Sequence, residues 1–248
     1  MRGPRRYAGW LGTALLVLGT LSLLWALVTW RVGDPLTALY QKYEQRSLRS
    51  DYAHSMQQFE AERNRILAVS PAAPVKERTL SQATRELNLL ATAYRHRLDS
   101  GDAVGVLTVP ALGLRTVIVD GTSSSSLKRG PGLDRRSYLP GQGELVYIAG
   151  HRTTYGAPFA HIDALKPGDP VYVELPYAKL TYRITGHRIV EANALGVLRS
   201  HGHEHLALQA CHPRFFATQR YIADAELVRF ALVENDTLHP YTVVASPR

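Results

Sequence analysis

Twenty-three consecutive residues, Ala8 to Trp30, carry no charge, and the run includes Leu15, Leu16, Val17, Leu18, Leu21, Leu23, Leu24, Leu27 and Val28. As a helix it is roughly 35 Å long, enough to cross a hydrocarbon core of about 30 Å. Trp10 lies near one end, and Trp25 and Trp30 lie towards the other, where indole rings suit the membrane interface. Arg2, Arg5 and Arg6 precede the run, so the positive-inside rule puts the N-terminus in the cytoplasm and everything after Trp30 outside. The rival reading is a cleaved signal peptide. The run is long for one, and no small-x-small cleavage site comes after it before Arg31. The expectation is a single-pass protein with a basic cytoplasmic tail (1–7) and a transmembrane signal-anchor (8–30).

Beyond the anchor the chain divides by pattern. From Asp34 to Leu98 it reads as helical and polar: Leu36, Leu39, Tyr40 and Tyr43 follow helical spacing, as do Tyr52, Met56 and Phe59. Pro71 and Pro74 break the run, and a second helix is expected from about Leu80 to Leu98. Residues 31–100 are thus a helical extracytoplasmic stalk, or an appendage packed on the β-rich domain. From Gly101 the character changes to short β-rich runs: Val104–Val109, Thr116–Val119, Leu145–Ala149, Val171–Glu174, Lys179–Ile184, His187–Val190, Leu206–Ala210 and Glu226–Val233. Pro140-Gly141 and Pro167-Gly168-Asp169 punctuate them. Many short strands with frequent turns make residues 101–248 an all-β barrel or sandwich.

The formal net charge is +8, and 24 of the 29 basic residues are arginine. They are scattered, with no dense basic run and no interleaved aromatics, so a nucleic-acid platform is not expected. A single cysteine excludes an intrachain disulfide and a cysteine-based zinc site.

That cysteine, Cys211, ends the run His205-Leu206-Ala207-Leu208-Gln209-Ala210-Cys211. Alternation puts Leu206, Leu208 and Ala210 on one face and Ala207, Gln209 and Cys211 on the other, and Pro213 stops the strand. A thiol so placed can meet a groove, or it can be an inert half-buried side chain. His151 closes the run Leu145-Val146-Tyr147-Ile148-Ala149-Gly150-His151, where Gly150 allows a close approach or an unusual backbone angle. An imidazole beside a thiol favours the thiolate and can hand a proton to a leaving amine. Arg220 lies nine residues after Cys211, and an arginine can donate to an oxyanion. A free thiol titrates near 8.5, so only a few per cent is thiolate at neutral pH unless the site intervenes. His201, His203 and His205 alternate, yet the stretch reads as a polar loop feeding the Cys211 strand, and no metal or other cofactor is expected.

The frames around these residues carry more than the residues alone. Gly150-His151-Arg152-Thr153-Thr154-Tyr155-Gly156-Ala157-Pro158-Phe159 resembles the strand and loop around the catalytic histidine of sortases. Leu208-Gln209-Ala210-Cys211 resembles their Thr-Leu-x-Thr-Cys strand, and Cys211-His212-Pro213 with Gln219-Arg220-Tyr221 resembles the segment running to the catalytic arginine. Leu107-Thr108-Val109-Pro110, Gly130-Pro131-Gly132, Pro140-Gly141 and Lys166-Pro167-Gly168-Asp169 also fit, in order. The resemblance covers about residues 101–235; the Cys-His-Pro form and the anchor are most similar to class E, with class D as neighbour.

The resemblance implies an eight-stranded closed β-barrel with short helices, on the surface of a Gram-positive cell. It implies a cysteine transpeptidase with Cys211 as nucleophile, His151 as general acid and then base, and Arg220 steadying substrate and oxyanion. The implied substrates are secreted proteins with a C-terminal Leu-Ala-x-Thr-Gly or Leu-Pro-x-Thr-Gly motif. The acceptor would be a peptidoglycan-precursor amine, or a pilin lysine in polymerising relatives. Three positions depart from the pattern: Ala207 and Ala210 replace threonines, and Leu133 stands where relatives often carry histidine. A weak or inactive wall-binding module of the same fold is the alternative that Ala210 leaves open. An L,D-transpeptidase fits poorly, since Ala-Cys-His-Pro replaces the Ser/Thr-His-Gly-Cys frame.

Overall fold

Strands β1 (Ala103–Val109) and β2 (Leu114–Asp120) form an antiparallel pair whose apolar run barely alternates, because both faces are covered. Val104, Leu107 and Ile118 enter the main core, while Ala103, Val106, Val117 and Val119 pack outward against Leu48 and Tyr52 of a long helix. The other strands are β3 (Gly132–Leu133), β4 (Leu145–Ala149), β5 (Pro170–Glu174), β6 (Ala178–Glu191), β7 (His205–His212), β8 (Gln219–Glu234) and β9 (Thr237–Thr242). They hydrogen-bond in the order β6-β5-β1-β2-β3-β4-β7-β8-β9, and β8 also pairs with β6, which closes the expected eight-stranded barrel. This computed structural model describes residues 5–32, 34–69, 78–234 and 237–243.

The strands differ from the sequence expectation in four places, the first being the short, unanticipated β3. Lys179–Ile184 and His187–Val190 are halves of one strand, β6, which passes through an irregularity at Ile184/Gly186 instead of turning. Strand β8 begins at Gln219, not Glu226, and so takes Arg220 into the sheet. The unanticipated β9 runs along the second half of β8 at the sheet margin, where Pro240 is tolerated.

Helix α1 (Arg5–Val32) contains Gly9–Thr29, a stretch long and apolar enough to cross a membrane, with its side chains exposed. Helix α2 (Pro35–Val69) lies on the barrel, and α3 (Leu80–Arg95) starts from a Thr79/Gln82 capping box and buries Leu87, Leu90, Ala91 and Tyr94. A short α4 (Ser124–Arg129) precedes β3. The expected break at Pro71 and Pro74 and the first four residues of the expected cytoplasmic tail lie outside the described residues.

The apolar residues that signal α2 in the sequence are largely not the ones it buries near its start. Leu36, Leu39 and Tyr43 are exposed, while Gln41 and Gln45 face the barrel. The reason is hydrogen bonding at a sheet margin: β3 pairs only with Val119 and Asp120, leaving Val117 short of a partner strand. The Gln45 amide supplies one, accepting from Val117 N at 2.7 Å and donating to Val117 O at 3.1 Å and Arg129 O at 2.9 Å. Glu44 pairs with Arg129 at 3.0 Å, and Phe59 is fully buried against Tyr94 and Tyr177.

One carboxylate pins the loop that leads into β7. Glu204 accepts from Gly141 N (2.9 and 3.0 Å), Gly143 N (3.1 Å) and Tyr182 OH (2.6 Å). Burial raises its pKa above the usual carboxylate value. Glu204→Ala strands these donors and is expected to cost about 2–4 kcal/mol. Thermal unfolding of the intact protein should show this as a fall in Tm of roughly 5–12 °C.

Candidate active site

Strands β4, β7 and β8 are neighbours, and the site residues stand where they end. In β4 and β7 the parallel register runs from Leu145↔His205 to Ala149↔Gln209, and Gly150 N continues it by donating to Gln209 O at 2.9 Å. His151 follows two residues after the last registered pair, just beyond the end of β4. On the other side of β7, the antiparallel register pairs Cys211 with Arg220. Cys211 and Arg220 are therefore cross-strand partners, and His151 leaves the end of the strand on the other side of β7. Laterally aligned residues share a sheet face.

That face is the outer one. Leu206, Leu208 and Ala210 of β7 belong to the barrel core, whereas Ala207, with Leu145, Tyr147 and Ile222, belongs to a separate outer cluster under Val197 and Leu198 of the β6–β7 connection. By alternation Cys211 falls on the outer face with Gln209 and Ala207, and it is partly exposed. Tyr147 OH donates to Gln209 Oε1 at 3.0 Å. Tyr147, Gln209, Leu195, Val197, Leu198 and Arg220 line a small cleft on this face, which Cys211 and His151 do not line.

The glycine before His151 is explained by close approach. A Cβ on Gly150 would sit 2.6 Å from the ring of the fully buried Phe159. Phe159 N also donates to His151 O at 3.1 Å, so the residue on which the Gly-His frame ends folds back to fix it. His151 is half-buried, and its Nε2 is enclosed without a hydrogen-bond partner among the described residues. Burial lowers its pKa, and the positive charge of Lys128 lowers it further. The ring is 5.2 Å from that of Tyr155 and tilted by 35°.

Arg220 Nη1 donates to Ala217 O at 2.7 Å and Gln219 O at 2.8 Å, which leaves Nε and Nη2 without a partner among the described residues. The guanidinium is thus tethered to the β7–β8 loop with donors to spare.

Nothing in the sequence expectation singles out Arg152. It is 3% exposed, donates Nη1 to Cys211 O at 3.3 Å, contacts His212 Nδ1 at 3.0 Å, and pairs through Nη2 with Asp163 at 3.0 Å. A buried arginine so placed ties the His151 segment to the Cys211 segment from the core side. Its only sequence signal is adjacency to His151. The imidazoles of His201, His203 and His205 do cluster, with centroids 6.0 and 5.1 Å apart for the pairs with His205. Among the described residues no group of three or more ligand side chains is arranged to hold a metal.

Comparison with known proteins adds a frame to this geometry. Residues 107–228 match the family model of the sortase domain. Sortase D of Bacillus subtilis is 31% identical over 128 residues, covering 50% of this chain and 63% of its own length. Sortase SrtE2 of Streptomyces coelicolor is 31% identical over 160 residues, covering 58% of this chain and 63% of its own. This chain thus spans less than two thirds of each of these relatives. Among solved structures, the SrtA sortase from Actinomyces oris superposes with a TM-score of 0.51 at 26% identity, over 55% of this chain and 85% of that one.

Proposed function

Because the barrel domain of this chain belongs to the sortase family, we propose that the protein is a membrane-anchored cysteine transpeptidase of class E or D, with Cys211, His151 and Arg220 as its catalytic residues. The observation that carries this reading is the pairing of Cys211, the only thiol of the chain, with Arg220 across β7 and β8, while His151 stands just past the end of the adjacent β4.

The Cys211 thiolate attacks the threonine carbonyl carbon of a Leu-Ala-x-Thr-Gly or Leu-Pro-x-Thr-Gly motif, and Nε and Nη2 of Arg220 stabilise the resulting oxyanion. The tetrahedral intermediate collapses with rupture of the Thr–Gly C–N bond, and His151 gives its proton to the departing glycine amine. A thioester remains. A second amine, from a peptidoglycan precursor, loses a proton to His151 and attacks the thioester, and the Cys211 thiolate leaves. The protein substrate ends joined to the wall precursor, and the enzyme returns to its starting protonation state. The apolar α1 is the anchor, with the N-terminus cytoplasmic and the barrel on the cell surface.

The test uses the intact protein in detergent or nanodiscs with both peptides and an amine acceptor. Mass spectrometry should find a thioacyl adduct on Cys211 and a transfer product with the amine. Neither adduct nor cleavage, with the thiol still reduced, would leave a wall-binding module instead.

The mechanism needs an imidazolium, which burial and Lys128 both disfavour. Removing that charge in Lys128→Met raises the pKa of His151. The acid limb of the pH–rate profile is then expected to move to higher pH, and the peak rate to rise by a factor of about two to five. Initial rates from pH 5 to 10 check it; a shift to lower pH contradicts the proton assignment.

A further inference from the structure

The loop after His151 does not hold its shape by local preference. Tyr155, Gly156 and Ala157 have φ of 50°, 67° and 43°, all in the left-handed region. For the two residues with side chains this costs on the order of 1–2 kcal/mol each. The restraint on the loop comes from outside the barrel. Thr37, Tyr40 and Gln41 lie at i, i+3 and i+4 on one face of α2, directly against it. Thr37 Oγ1 accepts from Tyr155 N at 2.8 Å and donates to Asp34 O at 3.2 Å, so the hydroxyl is fixed in both roles. The Tyr40 ring meets that of Tyr155 edge-on, 6.2 Å away at 72°. Gln41 covers Gly156 so closely that a Cβ there would lie 1.9 Å from its Oε1. Tyr155 in turn neighbours His151, and Lys128 Nζ stands 5.9 Å from the Tyr155 ring.

We infer that Thr37 is a positioning residue for His151: the first turn of α2 clamps Tyr155, and Tyr155 sets the imidazole for proton transfer. The inference rests on the proposed role of His151. It separates from mere docking of α2, because Gln45, Glu44, Leu48, Tyr52 and Phe59 attach that helix elsewhere. Removing one hydroxyl therefore loosens the loop and leaves the helix in place.

The test compares Thr37→Val, which keeps the shape and loses the acceptor, with Thr37→Ser, which keeps the acceptor, both in the full-length protein. Thr37→Val is expected to lower kcat about tenfold with KM within about twofold. Hydrogen exchange at the Tyr155 amide should speed by at least about tenfold, and Thr37→Ser should match the parent in both. Unchanged kcat and protection in Thr37→Val would overturn the inference, and so would a Thr37→Ser as impaired as Thr37→Val. If the parent cleaves neither peptide, the transpeptidase reading fails by itself. The clamp is then judged by exchange of the His151 ring Cε1 hydrogen across pH. Loosening should admit water and raise the apparent pKa of that ring; an unmoved profile sinks the clamp.

Discussion

Cys211→Ala is expected to yield no thioacyl adduct and to lower peptide cleavage by on the order of 10⁴-fold or more, to background. The effect is large because a covalent mechanism has no route around its nucleophile, and the chain offers no second thiol. Ala210 bears on this less than its place in the sequence implies. It is fully buried in the barrel core, on the face opposite Cys211. A threonine there would put its side chain into the barrel core beside Tyr221, its partner on β8, and on the face away from Cys211. The substitution that lies on the same face as Cys211 is Ala207, and it is covered by the outer cluster. Neither alanine removes a group that reaches the thiol. Single-turnover mixing with peptide, followed by intact-mass measurement, reads adduct and cleavage together. Cleavage persisting in Cys211→Ala would remove this residue from the mechanism.

His151→Asn is expected to reduce kcat by about 10²–10⁴-fold with a small change in KM, the range for loss of a positioned acid–base group. Asparagine keeps hydrogen-bonding capacity and approximate size but carries no titratable proton. The rate should therefore lose its dependence on the imidazole as well as its magnitude. In the parent protein the acid limb is expected below the ordinary histidine value, since burial and then Lys128 favour the neutral ring. In His151→Asn that limb disappears. A loss under tenfold, or a limb that stays, would show that another group moves the proton.

Much of the fold and of the candidate site is legible in the amino-acid sequence. Alternation alone puts Cys211 opposite Leu206 and Leu208, and the Gly150-His151 frame marks the end of β4. Short strands and turn residues imply the barrel, and a run of uncharged residues implies α1. Other features have no local signal. Gly186 separates two of the expected β-rich runs and yet lies inside the long β6, because β8 pairs with both halves of that strand. Apolar spacing marks the start of α2 through Leu36, Leu39 and Tyr43, which face solvent, while the contacts that count are made by Thr37, Gln41 and Gln45. Thr37 and Gln45 answer backbone N–H groups far away in the chain, at Tyr155 and Val117. Arg152 is hidden for the opposite reason: a buried arginine looks like a surface one until Asp163 and the Cys211 carbonyl are seen beside it.

The clamp at Thr37 also fixes a height. Thr37 lies eight residues beyond Thr29, the last residue of the apolar stretch. Fully extended, that length of chain reaches about 28 Å, and as helix only about 12 Å. With α1 in a bilayer, the loop after His151 is leashed to a thin layer above the lipid headgroups. The exposed Leu36, Leu39 and Tyr43 suit the rim of that layer. Any partner held in the same bilayer would then meet this face by a search in two dimensions, whereas a peptide free in solution must first find the plane.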